Sequence, residues 1–211
     1  MTASTPRAFW EDVYQTRRAT SSGQPSAALV GVASGLTPGR ALDLGSSNGD
    51  DVIWLAQQGW QALGLDISET ACGRARQKAE ALGLGERAKF EARDLSQGLP
   101  EGSFDLVTAF FLQSPVDLAR DAILRAAADR VAPDGHLLIL AHAAPPPWAS
   151  DEMKARAHEM PTVQTELDAI GYTPQHWLQL KAEIVHRDGK GPDGTVAELQ
   201  DSFILLQRRA A

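Results

Sequence analysis

The sequence predicts an α/β protein with a single Rossmann-like, doubly wound, mostly parallel seven-stranded sheet, an antiparallel last strand and helices on both faces. First, short apolar runs alternate with longer amphipathic runs from about residue 40, a pattern typical of right-handed strand–helix–strand crossovers. Second, runs such as 137–140 are continuously apolar, as in strands covered on both faces. Third, two strand-like segments joined by a turn-rich loop end the chain, which predicts a hairpin at one sheet edge.

The elements follow from these patterns in chain order. Ser68 precedes the clearest amphipathic run and is predicted to be its N-cap. Strands are predicted at 41–44, 61–67, 88–92, 104–110, 135–141, 177–186 and 196–207. Helices are predicted at 26–33, 50–58, 68–82 and 115–131, with a helix end at 165–170. Residues 1–39 are expected to form a helical or lid segment, and residues 40–211 the ligand-binding domain. The stretch from Trp10 to Pro25 is predicted to be a lid, and we expect it to be disordered without ligand.

Composition excludes several function classes. The 211 residues carry 20 Lys and Arg against 27 Asp and Glu, a net charge of −7, which argues against nucleic-acid binding through a general basic field. No apolar run approaches the length of a membrane span and no secretory core opens the chain, so a cytoplasmic protein without a membrane partner is expected. One cysteine, Cys72, provides neither an internal disulfide nor a metal cluster. We expect a monomer or homodimer without a metal.

The most informative segment is ALDLGSSNGDD, residues 41–51. A buried strand leads to Gly45 and then Gly49, where a helix begins, and such glycines let the backbone approach a ligand closely. A dinucleotide fingerprint would require glycines at 45, 47 and 50, but Ser47 and Asp50 occupy the last two positions. Asp50 and Asp51 also place negative charge where a pyrophosphate would bind, which favours a ligand without phosphate or with positive charge.

Three further acids follow strands of the predicted sheet. Asp66 ends the second strand, where an acid can bond both ribose hydroxyls. Asp94 follows the third strand, a position suited to an adenine amino group. Asp43 ends the first strand, where it can organise the glycine turn and meet a cationic group of the ligand.

Together these residues resemble the class I S-adenosylmethionine-dependent methyltransferases over residues 40 to 142. The family motif is D/E-x-G-x-G-x-G, and the match holds at Asp43, Gly45 and Gly49 but departs at Ser47, where glycine is usual, and at Ser46, where cysteine is common. The resemblance implies S-adenosylmethionine as cofactor and S-adenosylhomocysteine as product. It implies this set of cofactor-binding residues: Tyr14, Asp43, Gly45, Ser46, Ser47, Asn48, Gly49, Asp66, Ile67, Asp94, Leu95 and Phe110.

A narrower resemblance is to the small tellurite-resistance and thiopurine methyltransferases. Trp10, Tyr14 and Arg17 are similar to the N-terminal segment of that group, and residues 183–188 to its tail. A His-Arg pair lies beside the methyl-transfer site in the tellurite-resistance type, which implies that role for His186 and Arg187. A further loop arginine of that family has no counterpart in residues 188–194, which places identical substrate chemistry in doubt.

The expected reaction is in-line methyl transfer to a small molecule, with a thiol, a chalcogen oxyanion or a hydroxyl as acceptor. An acceptor that carries a proton needs a base, for which His186 and His142 are candidates. An acceptor that is already anionic needs none, and Arg187 can hold it. The alternatives are a nicotinamide-dependent oxidoreductase, a cofactor-binding regulator without catalysis, and a nucleic-acid methyltransferase. The last lacks support because residues 109–112 read AFFL, not a motif for a flipped amino base.

Overall fold

The computed structural model describes residues 5–210 and contains the predicted seven-stranded sheet in the order β3-β2-β1-β4-β5-β7-β6. The first five strands are parallel, and β7 is antiparallel to both of its neighbours. The fold class is therefore confirmed. The strands are β1 (Arg40–Leu44), β2 (Gln61–Asp66), β3 (Ala88–Ala92), β4 (Phe104–Phe110), β5 (Val131–His142), β6 (Trp177–Lys190) and β7 (Val196–Arg208).

Helices cover both faces of the sheet. One face carries α5 and α7, whose apolar side chains pack with β4 and β5. The other carries α2, α3 and α4, packed on the opposite side of the same strands. Because both faces are covered, the central strands are apolar throughout. The helices are α1 (Pro6–Thr16), α2 (Ala27–Ala33), α3 (Asp50–Gln57), α4 (Glu69–Ala81), α5 (Arg120–Asp129), α6 (Asp151–Ala155) and α7 (Val163–Ile170).

The N-terminal segment contains a helix, α1, that the sequence analysis did not predict as an element. Its N-cap Thr5 accepts a hydrogen bond from Ala8 N and Pro6 occupies the first helical position, two features that favour a helix start. The Glu11 carboxylate accepts hydrogen bonds from Glu69 N and Ser68 Oγ at the start of α4. Helix α1 is thereby attached to the N-terminus of α4, where a negative charge is favourable.

The structure corrects the predicted boundaries of α5 and β6 and one predicted contact. Helix α5 begins at Arg120 and not at 115, because Ser114 Oγ accepts from Val116 N and holds the preceding residues in a turn. Strand β6 extends to Lys190 because it pairs with β7 as far as Val196, which shortens the predicted loop at 188–194. Leu82, expected on the inner stripe of the second long helix, is 50% exposed because α4 ends at Ala81.

Candidate active site

Five of the predicted site residues lie at or near the carboxyl edge of the sheet. Asp43 and Asp66 lie near or at the ends of β1 and β2, Asp94 follows β3, and Phe110 and His142 end β4 and β5. Strand β1 lies between β2 and β4, so the chain order reverses direction there. Ligands of open α/β sheets bind at such switch points, beyond the carboxyl ends of the strands.

The turn between β1 and α3 is left-handed at three positions. Gly45 has φ 77°, Ser47 has φ 51° and Gly49 has φ 81°. Ser47 therefore adopts the backbone conformation for which glycine is ordinarily needed. At Gly49 a side chain is also excluded by packing, because a Cβ there would lie 2.6 Å from Phe90 Cε1 and 2.7 Å from Ala75 Cβ.

Asp66 holds the turn together. Its Oδ2 accepts hydrogen bonds from Ser47 N (2.9 Å) and from the Tyr14 hydroxyl (3.2 Å), and its Oδ1 accepts from Ser68 N (2.9 Å). Burial raises the pKa of the Asp66 carboxyl, and burial beside this acid raises the pKa of the Tyr14 phenol. Tyr14 is itself buried. Helix α1 of the N-terminal segment is thus in direct contact with Asp66, the acid that is predicted to bind the ribose hydroxyls.

Asp43 lies beneath the turn and is also buried. Its Oδ1 accepts a hydrogen bond from Thr108 Oγ1 of β4 at 2.6 Å. Burial, with a further contribution from the charge of Asp51, raises the pKa of Asp43 to about 7. Near neutral pH, a cationic group bound above the turn would therefore draw this carboxyl towards its ionised form.

Asp50 and Asp51 have protein partners, which revises the expectation that they favour a cationic ligand. Asp50 accepts hydrogen bonds from Gly23 N and Ser21 Oγ and pairs with Lys78 at 2.7 Å. Asp51 accepts from the backbone N–H of Ser26 at 2.6 Å. These carboxylates attach the polar stretch before α2 to the start of α3.

Two buried polar atoms in the turn have no protein partner. They are Ser46 Oγ and Asn48 Oδ1, in residues that are 6% and 7% exposed. Asn48 Nδ2 does donate to the Arg18 carbonyl at 3.3 Å. Buried acceptors and donors are usually satisfied, so these two atoms fit a turn that completes its hydrogen bonds with a polar ligand.

The remaining predicted cofactor residues surround the turn. Asp94 uses one oxygen, Oδ1, to accept from both Ser96 N and Ser96 Oγ, so it begins the short helical turn that contains buried Leu95. The carbonyl of Ile67 accepts from Arg7 of α1. Phe110 is half-buried at the end of β4.

A second polar cluster lies at the end of β5 and contains two of the predicted catalytic residues. Fully buried Asp201 of β7 pairs with His142 in the strand register. Its Oδ1 lies 2.9 Å from His142 Nδ1, and its Oδ2 accepts from Arg187 Nε at 2.5 Å. Phe111 stacks on the His142 ring with 4.3 Å between centroids, and the Arg187 guanidinium lies 5.4 Å from the Phe111 centroid.

The structure separates His186 from this cluster. Successive residues of a strand point to opposite faces of the sheet, so His186 and Arg187 diverge. His186 Nδ1 lies 2.9 Å from Glu198 Oε1, with both side chains about half exposed or more. The predicted pair of His186 and Arg187 is thus not brought together. Arg187 and His142 instead both contact the carboxylate of Asp201.

Sequence reasoning missed Asp201 and Glu11, and it did not identify the partners of Gln113. Asp201 stands directly before an apolar run in the last strand, and a charged residue at the start of a buried run was the available signal. Gln113 accepts from His142 N at 2.8 Å and donates to its carbonyl at 3.2 Å. Nothing in the local pattern around Glu11 or Gln113 indicated these partners.

Other features of the described residues 5–210 add no competing site. No group of three or more His, Cys, Asp or Glu that could hold a metal occurs among them. None of their helices is long and apolar enough to cross a membrane. A cavity of about 690 Å³ lies between α5 and α7, away from all of the predicted site residues.

Comparison with known proteins identifies the domain that carries this site. The family model for a methyltransferase domain matches residues 41–135, the stretch that contains the glycine turn, Asp66 and Asp94. Residues 41–135 are therefore similar to a methyltransferase domain, and this match spans just under half of the chain.

Two further comparisons cover more of this chain. It is 31% identical over 125 residues to thiocyanate methyltransferase 1 of Arabidopsis thaliana, an alignment that includes 56% of this chain and 55% of the relative. The chain thus spans about half the length of the curated relatives it matches. A solved structure concerned with conversion of a disulfide bond into a thioacetal group in echinomycin biosynthesis is 26% identical, with a TM-score of 0.69 over 95% of this chain and 92% of that one.

A third comparison is with a structure solved with a cofactor. Magnesium protoporphyrin IX methyltransferase from Synechocystis PCC 6803, with bound S-adenosylmethionine, has a TM-score of 0.62 and 20% identity. The alignment covers all of both chains. At this identity the likeness shows the fold alone.

Proposed function

We propose that this protein transfers the methyl group of S-adenosylmethionine to a small sulfur nucleophile. The observation that carries the proposal is the arrangement of two sites on one sheet edge. The glycine turn, Asp43 and Asp66 form one, and the cluster of His142, Asp201 and Arg187 forms the other. Strand β4 lies between β1 and β5, so its end at Phe110 stands between the two sites.

The residues of the first site fit the cofactor. The unpartnered Ser46 Oγ and Asn48 Oδ1 offer polar contacts at the turn, and the buried Asp66 carboxylate suits the ribose hydroxyls. Tyr14 now donates to Asp66, so its hydroxyl must give way when that carboxylate binds a ribose. S-adenosylmethionine supplies a methyl group already activated by a sulfonium. The protein's remaining task is to hold the reacting groups in line, which by itself can contribute several kcal/mol.

The second site fits a small acceptor with anionic character. The Arg187 side chain is 40% exposed, so its terminal N–H groups can reach a ligand while Nε holds Asp201. A guanidinium binds anions by charge-assisted hydrogen bonds. Phe111 provides an apolar surface beside it. The similarity to a thiocyanate methyltransferase and to a protein from disulfide-to-thioacetal conversion supports sulfur as the acceptor atom.

Calorimetric titration tests the cofactor half of the proposal. Purified protein is titrated with S-adenosylmethionine, S-adenosylhomocysteine and NADH. We expect binding of the first two, loss of that binding in Asp66→Ala, and no binding of NADH. Absence of binding to either adenosyl compound would refute the proposal, and binding of NADH would favour an oxidoreductase.

Product analysis tests the acceptor half. The protein is incubated with S-adenosylmethionine and, in separate reactions, thiocyanate, an aliphatic thiol, a phenol and a chalcogen oxyanion, and methylated products are measured by mass spectrometry. We expect methylation of the sulfur compounds. Cofactor binding without methylation of any acceptor would favour a cofactor-binding regulator. Methylation of the phenol alone would contradict the assignment of sulfur.

A further inference from the structure

We infer that Asp201 is a positioning residue that fixes His142 as the proton acceptor of the methyl-transfer site, so that the sulfur acceptor is a molecule with an S–H group. The inference rests on the proposed function and specifies its substrate class. It concerns a cluster in which His142 ends β5, Arg187 and Asp201 lie on β6 and β7, and Phe111 follows β4.

The partners of Asp201 favour its ionised form. This carboxyl is fully buried, yet its two oxygens have different partners, Arg187 Nε on Oδ2 and His142 Nδ1 on Oδ1. Arginine stays protonated in proteins and its Nε can only donate. Its charge therefore favours the carboxylate form of Asp201, which can only accept.

The tautomer of His142 follows from this charge. Since an ionised Asp201 can only accept, the proton of a neutral His142 ring resides on Nδ1. The other nitrogen, Nε2, then carries a free lone pair, which is the arrangement by which a buried acid orients a histidine base. The His142 side chain is 44% exposed, so this base can be reached from outside.

Neighbouring residues hold His142 in place. Gln113 bonds both the N–H and the carbonyl of the His142 backbone, and Phe111 stacks on its ring. Phe111 has φ 50°, a left-handed conformation that is costly for an aromatic residue. Such strain is characteristically retained where the surrounding structure fixes a functional geometry. Gln113 thus holds the His142 backbone, while Phe111 and Asp201 contact its partly exposed imidazole.

The chemistry follows from this geometry. As the acceptor sulfur forms its bond to the methyl carbon, the bond between that carbon and the sulfonium sulfur would break, and its electron pair would stay on the sulfur of S-adenosylhomocysteine. The acceptor's proton goes to His142 Nε2, and the resulting imidazolium is stabilised by the Asp201 carboxylate. An aliphatic thiol has a pKa near that of cysteine, about 8.5, so at neutral pH it benefits from this base. Thiocyanate carries no proton and does not.

The first test is spectroscopic and needs no cofactor. Long-range ¹H–¹⁵N NMR of the histidine side chains of the full, ¹⁵N-labelled chain reports the tautomer, with His142 assigned from His142→Gln. We expect the Nδ1–H tautomer in the wild type and its loss in Asp201→Asn. An Nε2–H tautomer for His142 in the wild type would overturn the inference, even if Asp201→Asn fails to fold.

The second test is kinetic and compares 3-mercaptopropionate with thiocyanate as acceptors. In His142→Gln we expect kcat with the thiol to fall by about 100-fold or more, as for loss of a general base, with a much smaller change in KM and in the rate with thiocyanate. His136→Gln is the matched control, because His136 lies on the same strand, six residues before His142. An equal fall of both rates would assign His142 a purely structural role.

The two tests also separate this inference from the proposed function. If S-adenosylmethionine does not bind, the proposed function fails while the tautomer measurement still decides how Asp201 acts on His142. If the cofactor binds and thiocyanate alone is methylated, the transferase activity stands and the role of His142 as a base is refuted.

Discussion

Replacing Ser47 by glycine should stabilise the protein, although the substitution removes a side chain. Ser47 has φ 51°, and a non-glycine residue costs about 1–2 kcal/mol in this region. Glycine loses about 0.5–1 kcal/mol more backbone entropy on folding. The hydrogen bond from the residue 47 amide to Asp66 Oδ2 at 2.9 Å is a backbone bond and survives. The net expectation is a gain of about 0.5–1 kcal/mol.

Urea unfolding at 25 °C and calorimetric melting would measure this gain. At about 2–4 °C per kcal/mol for a protein of this size, Tm should rise by about 1–4 °C. Ser34→Gly is the matched control, because Ser34 is exposed and has φ −63°. The control should lose about 0.5–1 kcal/mol. Equal losses in both variants would refute the reasoning that the turn strains Ser47.

Three further predictions concern the same site. Asp43→Asn should be more stable than the wild type above pH 7 and lose this advantage as pH falls, because the raised pKa of Asp43 (about 7) makes its ionised form unfavourable in the folded state. The free energies of unfolding of both proteins are measured from pH 5 to 9. A difference between the two proteins that does not change with pH would contradict this. Gly49→Ala should cost about 3 kcal/mol, since it combines a left-handed φ with a methyl 2.6 Å from Phe90 Cε1; a Tm within 2 °C of the wild type by calorimetry would contradict this. Hydrogen bonds to the start of α4 lower the pKa of Glu11 below 4.5. The stability that its carboxylate contributes is therefore present above pH 4.5 and is lost as pH falls below it. Urea unfolding should show that Glu11→Gln is less stable than the wild type by about 0.5 kcal/mol at pH 7, and that the variant loses less stability than the wild type on acidification.

The order and type of the strands were predictable from local sequence. Continuous apolar runs such as 137–140 identify strands covered on both faces, and a single N-cap such as Ser68 locates a helix start to within one residue. Boundaries that depend on a distant partner were not predictable in this way. The start of α5 at Arg120 depends in part on the bonds that Gln113 makes to the end of β5.

The glycine turn and the acids beside it were predictable because these residues are close in the sequence. The turn at 45–49 and the acids that end β1 and β2 are adjacent to the glycines or to strand ends in the sequence. A parallel sheet brings such ends to one edge regardless of detail. What the sequence could not show is that Tyr14 donates to Asp66 and that Asp51 holds the backbone of Ser26, since these contacts join segments 25 to 52 residues apart.

The acceptor half was decided by tertiary structure. The sequence places His186 and Arg187 side by side, but the alternation of side chains along β6 separates them to opposite faces of the sheet. Asp201 joins Arg187 to His142 only because β7 pairs with both β5 and β6. The sequence by itself therefore determined the fold and the glycine turn, through patterns that repeat over a few residues. Strand pairing across the whole chain determined which charged side chains meet, because a buried carboxylate such as Asp201 takes its partners from neighbouring strands.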